Sequence, residues 1–175
     1  MNERGPRAPD PPPLVIGLGN EHRGDDACGI LVARLLRSRI GEASSVVEWD
    51  AEGTELLDLW EGRAFVVVVD AVRTGARPGT VHRFEVGQEP LPGRLGITSS
   101  HGLSLAQAIG FGQALHRLPR RLVVYGIEAD SFEPGGGLSA PVEAALGSAA
   151  ERIEAEVRSA SEDPLDTGPR ERADA

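Results

Sequence analysis

The sequence predicts a three-layer α/β/α sandwich built on a mostly parallel, twisted sheet of about five strands. Three observations predict this fold. Short apolar runs alternate with amphipathic segments, the most apolar run (65–69) is β-branched after its Phe, and the chain contains no internal repeat. Strands that are rich in Val and alternate with helices form parallel sheets whose two faces are both covered by helices.

Length and composition predict a single globular domain. The chain has 175 residues, of which 40% are hydrophobic and 26% charged, an ordinary balance for a protein with a packed core. Residues 1–13 are rich in Pro, and residues 159–175 are charged with little to bury, so we expect both to be disordered tails. The folded domain is therefore predicted to span residues 14–158.

Charge and cysteine content exclude several classes of function. A net charge of -9 disfavours nucleic acids and anionic membrane surfaces as partners, because both require a basic face. The single cysteine, Cys28, excludes an internal disulfide and a cysteine-rich metal site. Since the N-terminal residues 1–13 have no apolar stretch and no run approaches a membrane span, we expect a soluble, cytoplasmic protein.

The first half of the chain predicts two strand–helix units. The apolar run Leu14–Ile16 is a short buried strand, and a helix is expected from about residue 24 to residue 39. A second strand covers residues 45–50, and a short helix covers residues 53–60. The inward face of the first helix is predicted to carry Ala27, Ile30, Leu31 and Leu35.

The second half continues the alternation. The central strand is predicted over residues 64–69 and ends at Asp70, and an alternating strand nearer the sheet edge covers residues 80–86. A helix follows from about residue 101 to residue 116, and then a buried strand over residues 122–125. A long amphipathic helix closes the domain, with its apolar face formed by Val142, Ala145, Leu146, Ala149, Ile153 and Val157.

Three potential metal ligands are expected at one edge of the sheet. Asp26 follows the first strand, Asp70 ends the central strand, and His101 begins the helix after a long loop. Ligands bind beyond the carboxyl ends of strands in open α/β sheets. Two carboxylates and one imidazole suit nickel, zinc, iron or manganese better than calcium, and three protein ligands leave coordination positions open.

Each of these residues also has an ordinary structural explanation. Asp25 or Asp26 is suited to support the start of a helix, Asp70 to accept hydrogen bonds in a loop, and His101 to begin a helix. The segment 17–20, Gly-Leu-Gly-Asn, suggests a dinucleotide-binding loop. However, bulky or charged residues follow it and the third glycine of that motif is missing. Cys28 is expected in the core.

Taken together, the motifs resemble the nickel-iron hydrogenase maturation endopeptidases. The resemblance runs in order from about Val15 to Val157. Its motifs are Gly17-x-Gly19-Asn20, Asp25-Asp26-x-x-Gly29, Gly53-Thr54, Val69-Asp70-Ala71, His101-x-Leu103-x-Leu105, Gly126-Ile127-Glu128-x-x-Ser131-Phe132 and Gly137-Leu138-Ser139.

The resemblance implies a function, a partner and a site. Members of this family remove a short C-terminal extension from the nickel-loaded precursor of the hydrogenase large subunit. The family's nickel-contacting residues fall on Asp26, Asp70 and His101, which would be both the metal-contacting and the catalytic residues. The nickel would come with the precursor, no nucleotide cofactor is implied, and we expect a monomer. Arg73 and Thr74 are expected to border the substrate groove.

Two other functions stay open from the sequence. A non-catalytic, nickel-binding chaperone of the same precursor would keep the metal site without cutting. A nucleotide-binding α/β domain would use the glycines of the first loop instead.

Overall fold

A computed structural model of the chain describes residues 10–41, 44–50, 55–88 and 104–162. Most of both predicted tails lies outside these residues, so the predicted domain boundaries stay a prediction. The described strands are β1 (Leu14–Leu18), β2 (Ser45–Trp49), β3 (Phe65–Val72), β4 (Val81–Glu85) and β5 (Arg121–Glu128).

The five strands form one sheet in the order β2-β1-β3-β5-β4. Strands β2, β1, β3 and β5 run parallel, and β4 pairs antiparallel with β5 at one edge. All eight residues of β3 are buried, as expected for a central strand covered on both faces. The prediction of a mostly parallel sheet of about five strands is therefore confirmed, and so is the edge position of β4.

The helices lie on both faces of the sheet. They are α1 (Cys28–Ile40), α2 (Leu56–Leu59), α3 (Leu105–Ala114) and α4 (Ala140–Glu162), and a 3-10 turn, Gly24–Ala27, precedes α1. Helices α1 and α4 enclose one apolar cluster with the sheet, and α2 and α3 enclose the other. This arrangement is the predicted three-layer sandwich. In the described part of the chain, no helix combines the length and the apolar character needed to cross a membrane.

The first helix differs from its prediction in start and in phase. It begins at Cys28, because residues 24–27 form the 3-10 turn. Leu31 is only partly buried and Leu35 is 36% exposed, so neither belongs to the inward face that the sequence predicted. Because Gly29 packs on the strand ends, the inward face follows from Gly29 at helical spacing through Val32, Ala33 and Leu36.

The central strand is longer than predicted. It continues past Val69 to Val72 because Asp70, Ala71 and Val72 pair with the last residues of β5. Asp70 therefore lies inside β3 and not at its end. Its pairing with β1 stops one residue earlier, at Val69, so Asp70 still lies at the carboxyl edge of the neighbouring strand.

Candidate active site

Two glycines bring the start of α1 into backbone contact with the strand ends. A Cβ atom added to Gly17 would lie 2.2 Å from the carbonyl oxygen of Gly29. One added to Gly29 would lie 2.2 Å from the oxygen of Leu18 and 2.4 Å from that of Val69. Real side chains do not fit at these distances, so only glycine at both positions allows the helix to lie this close to β1 and β3.

A third glycine fixes the turn that carries the first predicted ligand. Gly19 has a φ of 138°, and a Cβ atom there would lie 1.7 Å from the carbonyl oxygen of Asp26. The space beside this glycine is thus filled by the backbone of the 3-10 turn. The glycines of the first loop serve close packing of the chain on itself, which removes the main argument for a nucleotide-binding loop.

Asp26 and Asp70 are two buried carboxyl groups that interact with one another. Each is only 3% exposed. The pKa of Asp70 is raised to about 8, first by burial and second by the negative charge of Asp26. The backbone N–H of Ala71, which donates to Asp70 Oδ1 at 2.8 Å, opposes this shift. The structure therefore brings together two of the three predicted site residues.

Cys28 is fully buried and lies close enough to this pair to interact with its charges. Burial raises the pKa of its thiol well above the usual range, and the charges of Asp70, Asp26 and Asp25 raise it further. A thiol in this setting stays protonated, so it is not a nucleophile. The prediction that Cys28 belongs to the core is confirmed.

Asp25 has a different role from the one that the sequence suggested. Its carboxylate forms no helix cap. It accepts hydrogen bonds from the N–H groups of Asp130 (2.8 Å), Ser131 (3.0 Å) and Ser139 (2.7 Å), and from the Ser139 hydroxyl (2.9 Å). Burial alone raises its pKa, but these hydrogen bonds outweigh burial and the pKa is lowered.

The segment that Asp25 binds, residues 130–139, connects β5 to α4 and is called the β5–α4 loop below. It also pairs with the 3-10 turn through its backbone. Gly24 N–H donates to Gly136 O at 3.2 Å, and Asp25 N–H donates to Ser131 O at 3.0 Å. Gly135 N–H donates to His22 O at 2.8 Å. The turn is therefore held between the strand ends and this loop.

A further carboxylate organises the neighbouring loop after β3. Glu128, 3% exposed, accepts hydrogen bonds from the N–H groups of Thr74 and Gly75 (both 2.9 Å) and from the Thr74 hydroxyl (2.8 Å). Burial raises its pKa, but the hydrogen bonds lower it overall. His82 Nε2 lies 3.3 Å from Glu128 Oε2, and its ring stacks on Phe84.

Arg73, which was expected with Thr74 to border a substrate groove, joins the loop after β3 to the β5–α4 loop. Arg73 Nη2 donates to the carbonyl oxygen of Asp130 at 3.2 Å, and its guanidinium lies 4.7 Å from the centre of the Phe132 ring. Thr74 is held by Glu128, as above. Both residues thus lie near the carboxyl edge of β3 and β5, and their contact with substrate stays a prediction.

The third predicted ligand, His101, lies outside the described residues, as do Gly53 and Thr54 of the resemblance. Among residues 10–41, 44–50, 55–88 and 104–162, no group of three or more His, Cys, Asp or Glu side chains is arranged to hold a metal ion. Asp26 and Asp70 could supply two oxygen ligands, and the three-residue site stays a prediction.

Comparison with known proteins gives one consistent family. The HycI family model, described as hydrogenase maturation protease, matches residues 30–156. The hydrogenase 2 maturation protease of Escherichia coli is 28% identical over 149 residues, which are 83% of this chain and 90% of that protein. The structure of the hydrogenase maturating endopeptidase HybD from E. coli matches with a TM-score of 0.69 at 25% identity, over 85% of this chain and 93% of the other. A solution structure of an endopeptidase from Escherichia coli matches over the same shares with a TM-score of 0.73 at 26% identity.

Proposed function

Because the chain belongs to the family of hydrogenase maturation proteases, we propose that it removes the C-terminal extension from the nickel-loaded large-subunit precursor of a nickel-iron hydrogenase. The observation that carries this proposal is the buried Asp26–Asp70 pair at the carboxyl edge of the sheet. Buried acids with a raised pKa in the loop region of an α/β sheet are typical of catalytic sites.

In this proposal the nickel is part of the substrate. Asp26, Asp70 and His101 would occupy open coordination positions on the metal that the precursor carries. Nickel binds well to imidazole nitrogen and carboxylate oxygen. The raised pKa of Asp70 supports the idea, because a nearby cation would favour the ionised carboxylate that burial and Asp26 now disfavour.

The same pair supports an aspartic-type hydrolysis. Before the precursor binds, the pKa of Asp70 at about 8 means that the pair retains a proton at neutral pH. Once the nickel favours the ionised form, a carboxylate of the pair would take a proton from the attacking water and pass it to the departing amine. When the C–N bond breaks, the departing amine takes up a proton and the carboxylic acid of the new C-terminus is formed.

The metal requirement is tested by incubating the protein with precursor in nickel-loaded and nickel-free form. We expect loss of mass from the loaded precursor only. Equal cleavage of both forms would contradict the metal check but leave the peptidase function intact. Stable binding of the loaded precursor without any loss of mass would contradict the peptidase function and favour a non-catalytic chaperone.

The oligomeric state and the cellular location belong to the same proposal. We expect a monomer that meets its precursor in the cytoplasm. Light scattering of the purified protein, alone and with precursor, measures the first expectation, and fractionation of cells measures the second.

A further inference from the structure

Two adjacent carboxylates on one turn have separate partners. The side chain of Asp25, 0% exposed, is bound by four hydrogen bonds from the β5–α4 loop. The side chain of Asp26 lies close enough to Asp70 to raise its pKa. Consecutive residues of a 3-10 helix point about 120° apart, so one turn can direct the two carboxylates to two different places.

The direction of Asp26 therefore depends on how the turn is held. On one side, the carbonyl of Asp26 lies against Gly19 with no room for a Cβ atom. On the other side, the Asp25 carboxylate and the backbone pairing of Gly24 and Asp25 fix the turn to the β5–α4 loop. If the side-chain hydrogen bonds of Asp25 were lost, only the backbone hydrogen bonds would hold the turn to the loop, so the turn would rotate more easily and Asp26 would move with it.

We propose that Asp25 is a positioning residue of the peptidase site, which holds Asp26 against Asp70 by binding the β5–α4 loop. This inference rests on the proposed function, since the displacement matters only if the pair takes part in hydrolysis. A displacement of about 1 Å of a reacting group lowers rates by about 10²-fold. Asp25 acts through Asp26 and is not itself a catalytic residue.

A purely structural role is the alternative, and the chain offers a matched control for it. Glu156 on α4 is another carboxylate that binds several donors: Arg83 Nη2 at 2.6 Å, Arg121 Nη2 at 2.6 Å and the Tyr125 hydroxyl at 2.6 Å. Its side chain is 11% exposed, and it joins α4 to β4 and β5 without touching the 3-10 turn. Asp25→Asn and Glu156→Gln are a matched pair of variants, because each replaces a carboxylate by the amide of the same side-chain length.

The experiment compares these two variants with the wild type at a temperature where all three are folded. Single-turnover cleavage of nickel-loaded precursor gives the rate constant, and titration gives the precursor affinity. For Asp25→Asn we expect the rate constant to fall about 30–100-fold, with affinity within about threefold, because the fully buried Asp25 has no surface with which to contact the precursor. Hydrogen exchange of the Ser131 and Ser139 amides should accelerate. For Glu156→Gln we expect a rate constant within about twofold of the wild type, although it also loses stability.

Two results would overturn the inference: wild-type cleavage by folded Asp25→Asn, or an equal loss of rate in both variants. If Asp25→Asn does not fold, Ser139→Ala removes only one donor to Asp25 and should still slow cleavage about three- to tenfold; an unchanged rate there would refute the inference too. A wild-type protein that leaves the precursor uncut would instead refute the proposed function.

Discussion

Asp25 and Asp70 are both buried carboxyl groups at the same edge of the sheet, yet their surroundings act on them in opposite ways. Four hydrogen bonds compensate Asp25 for its burial and lower its pKa. From the described residues, Asp70 accepts one hydrogen bond, from Ala71, and it interacts with the charge of Asp26, so its pKa rises to about 8. The first environment stabilises the fold, whereas the second keeps a reactive group at a cost in stability.

Two further acids follow the pattern of Asp25. Glu128 and Glu156 also have several donors, and the pKa of each is lowered once those hydrogen bonds are set against burial. By contrast, the pKa of Asp70 is raised, by burial and by the charge of Asp26. The environment of Asp70 is therefore explained less well by folding alone than the environments of Asp25, Glu128 and Glu156.

The sharpest test of the comparison is Asp70→Asn. We expect precursor cleavage to fall by about 10²–10⁴-fold, because the variant can neither take nor give a proton. The same change removes a buried, poorly compensated acid, so the metal-free protein should gain about 2 kcal/mol, or about 4–8 °C in its unfolding midpoint. Calorimetry in the presence of a chelator measures this gain, and a lower midpoint would contradict the strained environment assigned to Asp70.

Asp25→Ala should have the opposite effect on stability. It leaves the N–H groups of Asp130, Ser131 and Ser139 without their acceptor, so we expect a loss of about 2–4 kcal/mol in the free energy of unfolding. Urea denaturation followed by circular dichroism measures it. A loss below about 0.5 kcal/mol would show that water replaces the carboxylate, and that Asp25 does not hold the loop.

The two acids should also give pH dependences of opposite sign. The folded protein keeps the proton of Asp70 up to about pH 8, whereas the unfolded chain releases it near the ordinary value of 3.8. The contribution of this group to stability therefore falls as pH rises between these values. The free energy of unfolding of Asp70→Asn, relative to that of the wild type, should increase by about 1–3 kcal/mol from pH 5.5 to pH 8. The lowered pKa of Asp25 stabilises the fold above pH 3.8 and loses its effect only as the pH falls through its folded value.

Denaturant titrations of wild type, Asp70→Asn and Asp25→Ala at several pH values measure both slopes. The penalty of Asp25→Ala should stay constant from pH 5.5 to pH 8. If the free energies of unfolding of wild type and Asp70→Asn changed equally with pH over that range, the raised pKa of Asp70 would be refuted.

The smallest expected effect is that of Ser139→Ala. This change removes one hydroxyl donor to Asp25 but leaves the Ser139 N–H in place. We expect a loss of about 1 kcal/mol in the free energy of unfolding. Comparison with the double variant Asp25→Ala plus Ser139→Ala gives the coupling: additive losses would mean that the hydroxyl and the carboxylate stabilise the protein independently.

The sequence predicts the layers of this fold well because the signals are local. Runs such as Phe65–Val69 and the apolar stripe of α4 identify buried strands and helices by period and composition. The order of the strands and the antiparallel direction of β4 depend on pairings between distant segments, which no window of sequence contains. The length of β3 was underestimated for the same reason, because its last residues are strand only by pairing with β5.

In the candidate site, too, features with a local sequence signal were predicted, and features that depend on distant contacts were not. Asp26 and Asp70 were predicted because each follows a strand signal, and the structure brings them together. The role of Asp25 could not be predicted, since its partner Ser139 lies 114 residues away. The residues next to Asp25 in the sequence suggested only that it supports the start of the helix. The Ser and Gly residues between positions 131 and 139 were the one available signal that this loop packs closely against other backbone.

The distance along the chain between Asp25 and its loop has a consequence for biosynthesis. Its hydrogen bonds join residues separated by 105, 106 and 114 positions, so they cannot form until β5 and the loop after it have been synthesised. Contacts of such long range form late, after the local helices and the first strands. A ribosome-bound chain that stops before Ser139 would therefore contain Asp26 and Asp70 without the complete set of Asp25 hydrogen bonds that positions Asp26. We expect protease activity only after the whole domain has been synthesised and folded.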